Sequence, residues 1–204
     1  MKVGIRFGGT VLAVFTGVAA AALAQDQSKT AAPSADEKAA MDAMMKAATP
    51  GEPHKKLATM AGTFEVKTKM WMQPGAPPQE STGTSENKMV LGGRYLEQSY
   101  NGTMMGQPFS GMGMTAYDNV TKKYIGTWAD TMTPGLMIST GSAGSTPNTI
   151  KMTGSLADPV TGKKMAVSEK VTITDADHHT LEMWGPGPDG KNFKMMEIVY
   201  TRKK

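Results

Sequence analysis

Two glutamates stand where a strand pattern would put apolar side chains. Met165, Val167, Glu169, Val171 and Ile173 alternate along one segment, and Phe193, Met195, Glu197 and Val199 along another. Residues two apart in an extended strand share a face, so if these faces point into a core, two carboxylates go with them. A buried, unpaired carboxylate is costly and its pKa climbs. Glu169 and Glu197 are therefore candidates for orienting the polar end of a ligand or for pairing with Arg94. The plainer alternatives are a salt bridge inside a packed core, or a β-bulge that turns one Glu outward.

Methionine is the second source of chemistry, with 19 residues in the chain. Met70 with Met72, and Met112 with Met114, each project from one face of a strand, and thioethers are soft ligands that select Cu(I). Methionine also fills irregular interiors and lines adaptable apolar pockets. A copper site would gather several Met with a His in one short segment; the scatter from Met41 to Met196 favours lining instead, and no metal site is assigned. His178 and His179 are adjacent and would point to opposite faces of a strand, so they cannot share one metal; a solvated turn after Asp175-Ala176-Asp177 is expected. His179 is the strand candidate for the inward histidine that a haem-holding barrel would need, and His54 reads as a helix-start residue. Asp118-Asn119 is turn chemistry, while Asp130 ends a strand, where it either contacts ligand or caps the next turn. No nucleophile elbow and no zinc-binding His-Glu-x-x-His motif is present, so the chain reads as non-catalytic and without a cofactor.

The elements that must position these residues are strands. Over Leu91 to Asp130 the period is two, and Gly92-Gly93, Asn101-Gly102 and Asp118-Asn119 punctuate it. Strands are expected at Thr63 to Met72, Ser81 to Val90, Arg94 to Tyr100, Gln107 to Tyr117, Lys122 to Asp130, Gly135 to Gly141, Thr149 to Leu156, Lys163 to Thr174, Thr180 to Gly185 and Lys191 to Arg202. A meander of about ten antiparallel strands closes most easily into a single up-and-down barrel, because closure removes the unpaired edges of an open sheet. Ahead of it, Ser34-x-x-Glu37 forms a capping box followed by Met41, Met44, Met45 and Ala48 at helical spacing, and a shorter turn runs from His54 to Met60. The fold class is thus all-β, preceded by one or two short helices.

The ends and the composition exclude several functions. Lys2 and Arg6 precede an apolar run from Phe7 to Leu23, and Ala22-Leu23-Ala24 is a signal-peptidase pattern, so residues 1–24 are read as a cleaved export signal and 25–33 as a disordered tether. Residues 34–61 form a helical segment and 62–204 the barrel. The product is expected to be periplasmic or secreted, with no integral membrane segment after cleavage. There is no cysteine, so neither disulfides nor thiol chemistry is available. Without the leader, 20 basic residues face 18 acidic ones, too even a balance for nucleic acid or an anionic surface.

Several runs are similar to the DUF1579 family of bacterial proteins. They are PHKKLATMAGTF at Pro53 to Phe64, LGGRYL at Leu91 to Leu96, GQPFSGMG at Gly106 to Gly113, AYDNVTKKY at Ala116 to Tyr124, TWAD at Thr127 to Asp130 and EIVYTR at Glu197 to Arg202. The resemblance implies a calycin-like barrel, related in shape to lipocalins and to small barrels that hold lipids or haem. Gly62-Thr63-Phe64 and Arg202 resemble the lipocalin pair of a Gly-x-Trp start and a late Arg stacked over the Trp, with Phe64 in the place of Trp. The family brings no catalytic residues. Gly62, Phe64, Gly92, Gly93, Arg94, Asp118 and Arg202 are expected to be structural.

A ten-stranded barrel is wide enough to leave a cavity. The expected partner is a hydrophobic small molecule with a polar end, contacted by Tyr100, Met112, Met114, Tyr124, Trp128, Glu169 and Glu197. The alternatives are Cu(I) binding through methionine, a filled structural barrel with a partner surface, and an enzyme using the Glu pair. No residue pattern speaks to oligomeric state.

Overall fold

The computed structural model describes residues 33–158 and 161–204. The expected export signal, and all of the expected tether but Pro33, lie outside the described residues. Two helices, α1 (Ala35–Ala48) and α2 (Glu52–Ala58), precede ten strands: β1 (Gly62–Met70), β2 (Gln79–Val90), β3 (Tyr95–Met104), β4 (Gln107–Asp118), β5 (Lys123–Asp130), β6 (Met137–Ala143), β7 (Thr149–Ala157), β8 (Lys164–Ile173), β9 (His178–Pro186) and β10 (Asn192–Arg202). Every strand pairs antiparallel with its sequence neighbours, and β10 returns to β1, closing the barrel. The expected meander is therefore the observed topology. β1 stops two residues early, at Met70, although the Trp71 N–H still donates to the Met195 carbonyl at 2.8 Å.

One end of the barrel is plugged. Pro53 at the start of α2 fixes the helical φ and sacrifices no needed donor, and the His54 imidazole Nδ1 accepts from the Gly51 N–H at 3.0 Å. The helix drives Leu57, and Met60 just beyond it, into a cluster with Leu96, Tyr124, Ile150 and Met152. Arg202 fastens this plug. Its guanidinium lies 4.6 Å over the Phe64 ring, donates to the carbonyls of Thr59, Ala61 and Ala176, and pairs with Asp177. Gly62 is required beneath it: φ is +136°, and a Cβ there would strike the guanidinium. The aromatic, glycine and arginine arrangement drawn from the lipocalin resemblance is thus present with Phe64.

α1 is different. Ser34 and Glu37 form the expected capping box, but none of the helix is buried, and Met41, Met44 and Met45 are exposed. Asn119, in the β4–β5 turn, ties its C-terminal end to the barrel by donating to Ala47 O and Thr49 O. Asp118 shapes that turn by accepting from the Val120 N–H and the Thr121 hydroxyl.

Burial and register identify the inner face of each strand. Phe64, Val66 and Thr68 of β1 are buried, and the residues opposite them, such as Ser85 on β2 and Tyr200 on β10, are buried too. The same parity carries around the ring to Leu96 and Tyr100, Phe109, Tyr124, Met137 and Ser139, Ile150 and Met152, Val167 and Glu169, and His179.

Candidate functional site

The inner wall divides into three levels. At the plugged end sits the α2 cluster, which includes Tyr124. In the middle lies a polar belt. Asn87 donates to the Met60 carbonyl (2.9 Å), Ser85 donates to Asn87 (2.7 Å), and the Gln98 amide donates both to Ser85 (3.0 Å) and to the Tyr200 hydroxyl (3.1 Å). Across the lumen the buried Glu169 carboxyl has the Ser139 hydroxyl as its neighbour. Leu181, Ile198 and Trp128 form an apolar part of the wall that packs against Phe64, Val66, Tyr100 and Tyr200, and Phe109 and Met104 extend it away from the plug.

Electrostatics in the belt follow from burial. Loss of water around Glu169 pushes its pKa up from 4.5, with the Ser139 hydroxyl opposing. Burial pushes the Tyr200 phenol up to about 12; the Gln98 bond opposes this, and Tyr100 and the negative charge of Glu169 add to it. Burial, then the Arg202 charge, lowers His179 to about 4. His179 is therefore a neutral ring, stacked on Tyr200 at 4.2 Å and set edge-on to Phe64 at 4.7 Å. It is buried core rather than the solvated turn expected; His178 beside it is exposed and bonds Asp175.

Several expected site residues take other places. Met112 and Met114 face outward, Met112 being 61% exposed. The inward residues of β4 are instead Gly111 and Gly113, because the Trp128 indole occupies the space where their Cβ atoms would be. Glu197 is also outside. A β-bulge between Lys194 and Met196 reverses the parity of β10, so Met196, Ile198 and Tyr200 point in. Glu197 pairs with Lys194, which also reaches Glu182 and lies over the Trp71 ring. Arg94 is exposed and donates to the Leu91 carbonyl, so it meets neither glutamate. With Gly92 and Gly93 at positive φ, it shapes the β2–β3 turn.

Tyr100 and Trp128 do face inward. The Tyr100 ring packs on Phe109 at 5.7 Å, with its hydroxyl over Gly83 and Gly102. Trp128 donates its indole N–H to Asp130 at 3.0 Å, and Asp130 also caps the next turn through the Met132 N–H. Tyr124 is 2% exposed and belongs to the plug. It also forms part of a cleft of about 860 Å³ beside α2, with Lys56, Thr59, Asn148, Ile173 and Asp175.

Sequence reasoning missed the belt of Ser85, Asn87, Gln98, Ser139 and Tyr200. The available signal was small polar residues at alternate positions of β2, Ser81, Gly83, Ser85 and Asn87, which leave room inside a barrel. What the arrangement offers chemically is a carboxyl held toward its neutral form beside the Ser139 hydroxyl, facing amide and phenol groups across the lumen, among apolar side chains. Among the described residues no group of three or more His, Asp or Glu is placed to hold a metal ion, and no helix is long and apolar enough to cross a membrane.

Similarity to solved structures runs at the level of fold. The Rv2717c protein of M. tuberculosis superposes with a TM-score of 0.55 at 18% identity, covering 76% of this chain and all of that one. The S-type phycobiliprotein lyase CPES of Guillardia theta gives 0.52 at 10% identity, covering 79% of this chain and 97% of that one. No curated protein matches. The family described as protein of unknown function (DUF1579) matches residues 49–202, a span running from just before the α2 plug to the arginine that fastens it, and the chain belongs to that family.

Proposed function

We propose that this barrel binds one small, largely apolar molecule in its lumen, with a neutral polar end at Glu169, and that it does so without catalysis. The observation behind this reading is that inward side chains at mid-barrel are not fully buried. Leu181, Met183 and Ile198 point into the closed barrel and are partly buried; Leu181 and Ile198 pack against the Phe64, Val66 and Tyr200 cluster and keep some uncovered surface, the surface this reading assigns to the ligand.

The polar end follows from the carboxyl. In its neutral form Glu169 both donates and accepts, which suits a carbonyl or hydroxyl and disfavours a carboxylate. The few placed polar groups and the apolar remainder are the usual composition of a ligand pocket. The leader-like residues 1–24 support a periplasmic or secreted setting, where a carrier or sensor of such molecules would work.

Native mass spectrometry of the full chain, purified from its own cells, tests this reading. A retained small mass, released on denaturation, supports it. With the protein saturated by that molecule, Glu169→Leu should weaken binding at least about tenfold, the loss of one buried hydrogen bond. Glu197→Gln should leave binding unchanged, because Glu197 is outside. A bare mass that stays bare after incubation with cellular lipid extract would count against the reading.

A further inference from the structure

We propose that Met70, Met183, Met195 and Met196 form a thioether site for a soft monovalent cation, Cu(I), in the open half of the lumen. The inference goes beyond the apolar-ligand reading and rests on register. Met70 of β1 stands directly opposite Met196 of β10, and Met196 stands directly opposite Met183 of β9. All three share the inward parity of Val66, Tyr200 and Leu181. Directly opposed residues on one face hold their Cβ atoms about 5 Å apart, so three flexible thioethers from three adjacent strands can converge on one atom.

The bulge supplies the fourth. It sets Met195 immediately before Met196, and a Cβ built on the inward residue Gly185 would fall on the Met195 sulfur. That sulfur therefore also lies on the inner wall, beside Met183. Bulges commonly re-aim a side chain in this way. On the other side of Met183 the same inner row continues to Glu169 and then Met152. Soft, uncharged thioethers select Cu(I) over the hard divalent ions. The exposed methionines of α1 and Met112 share none of this convergence.

Silver(I), a redox-inert soft cation, is the probe, with the full chain labelled at the methionine methyl carbons. The ε-methyl signals of Met70, Met183, Met195 and Met196 should shift together and saturate at one equivalent, while those of Met41, Met44, Met45 and Met112 stay in place. Anaerobic competition for Cu(I) against a colorimetric chelator should show a loss of affinity of at least about 100-fold in the triple variant Met70→Leu, Met183→Leu, Met196→Leu, more than loss of an outer supporting group costs. Leucine keeps the volume and the apolar character; should the triple variant not fold, Met183→Leu alone is read. Shifts spread over the exposed methionines, no saturation at one equivalent, or Cu(I) affinity unchanged in the folded variant would overturn the proposal.

Discussion

Glu169 and His179 are buried ionisable groups whose pKa values move in opposite directions, so they leave opposite signatures in stability. His179 titrates at about 4 in the fold against 6.5 unfolded. The unfolded chain therefore takes up the proton first, and the stabilisation is complete above pH 6.5 and is lost as pH falls toward 4. A displacement of this size is worth about 3 kcal/mol. Urea unfolding across pH 4 to 7 should show that acid loss, and His179→Phe should flatten it. Glu169 has its pKa raised, so the fold favours its proton, and its contribution is present below pH 4.5 and lost as pH rises through the folded value. Glu169→Gln, which needs no proton to stay neutral, should be the more stable protein above pH 4.5 and should converge with the parent below it. A parent and variant with parallel curves would mean that Glu169 is not desolvated.

At the scale of elements, the strands were legible because period two and glycine-bearing turns recur from Gly62 to Arg202, and because each hairpin is local. Which face turns inward was harder to read. On β4 the alternation sets Gly111 and Gly113 against Met112 and Met114, and hydrophobicity alone chooses the methionines. The barrel chooses the glycines because Trp128, a strand away, needs their space. On β10 one bulged residue moved Glu197 out and Met196 in, and nothing in the local pattern marks it. The helices make a matched pair of predictions. Arg202→Ala removes the ring contact and the bonds that hold α2, and should cost about 2–3 kcal/mol by urea unfolding. Asn119→Ala should speed hydrogen exchange at the end of α1 and leave the global transition within about 0.5 kcal/mol, because α1 buries nothing. A large global loss would show that α1 packs on the barrel.

For the whole molecule, the central claim is that the closed barrel holds an open lumen. A filled interior and an open one respond differently to added volume. Ile198 faces the lumen and is half-buried, so Ile198→Trp should fold with a loss below about 1 kcal/mol while it blocks binding; in a packed core the same enlargement costs about 1–3 kcal/mol. Three tryptophans make the lumen observable. Trp71 and Trp184 lie on the outer face, Trp71 under Lys194 and Trp184 opposite Lys194 and Ser168, and Trp128 lies inside. The most direct measurement is energy transfer from Trp128 to the apolar fluorophore N-phenyl-1-naphthylamine in the full-length Trp71→Phe, Trp184→Phe protein. Transfer that saturates at one fluorophore per chain and disappears with Ile198→Trp is the expected result. Transfer that fails to saturate, or that survives Ile198→Trp unchanged, would contradict an open, ligand-binding lumen.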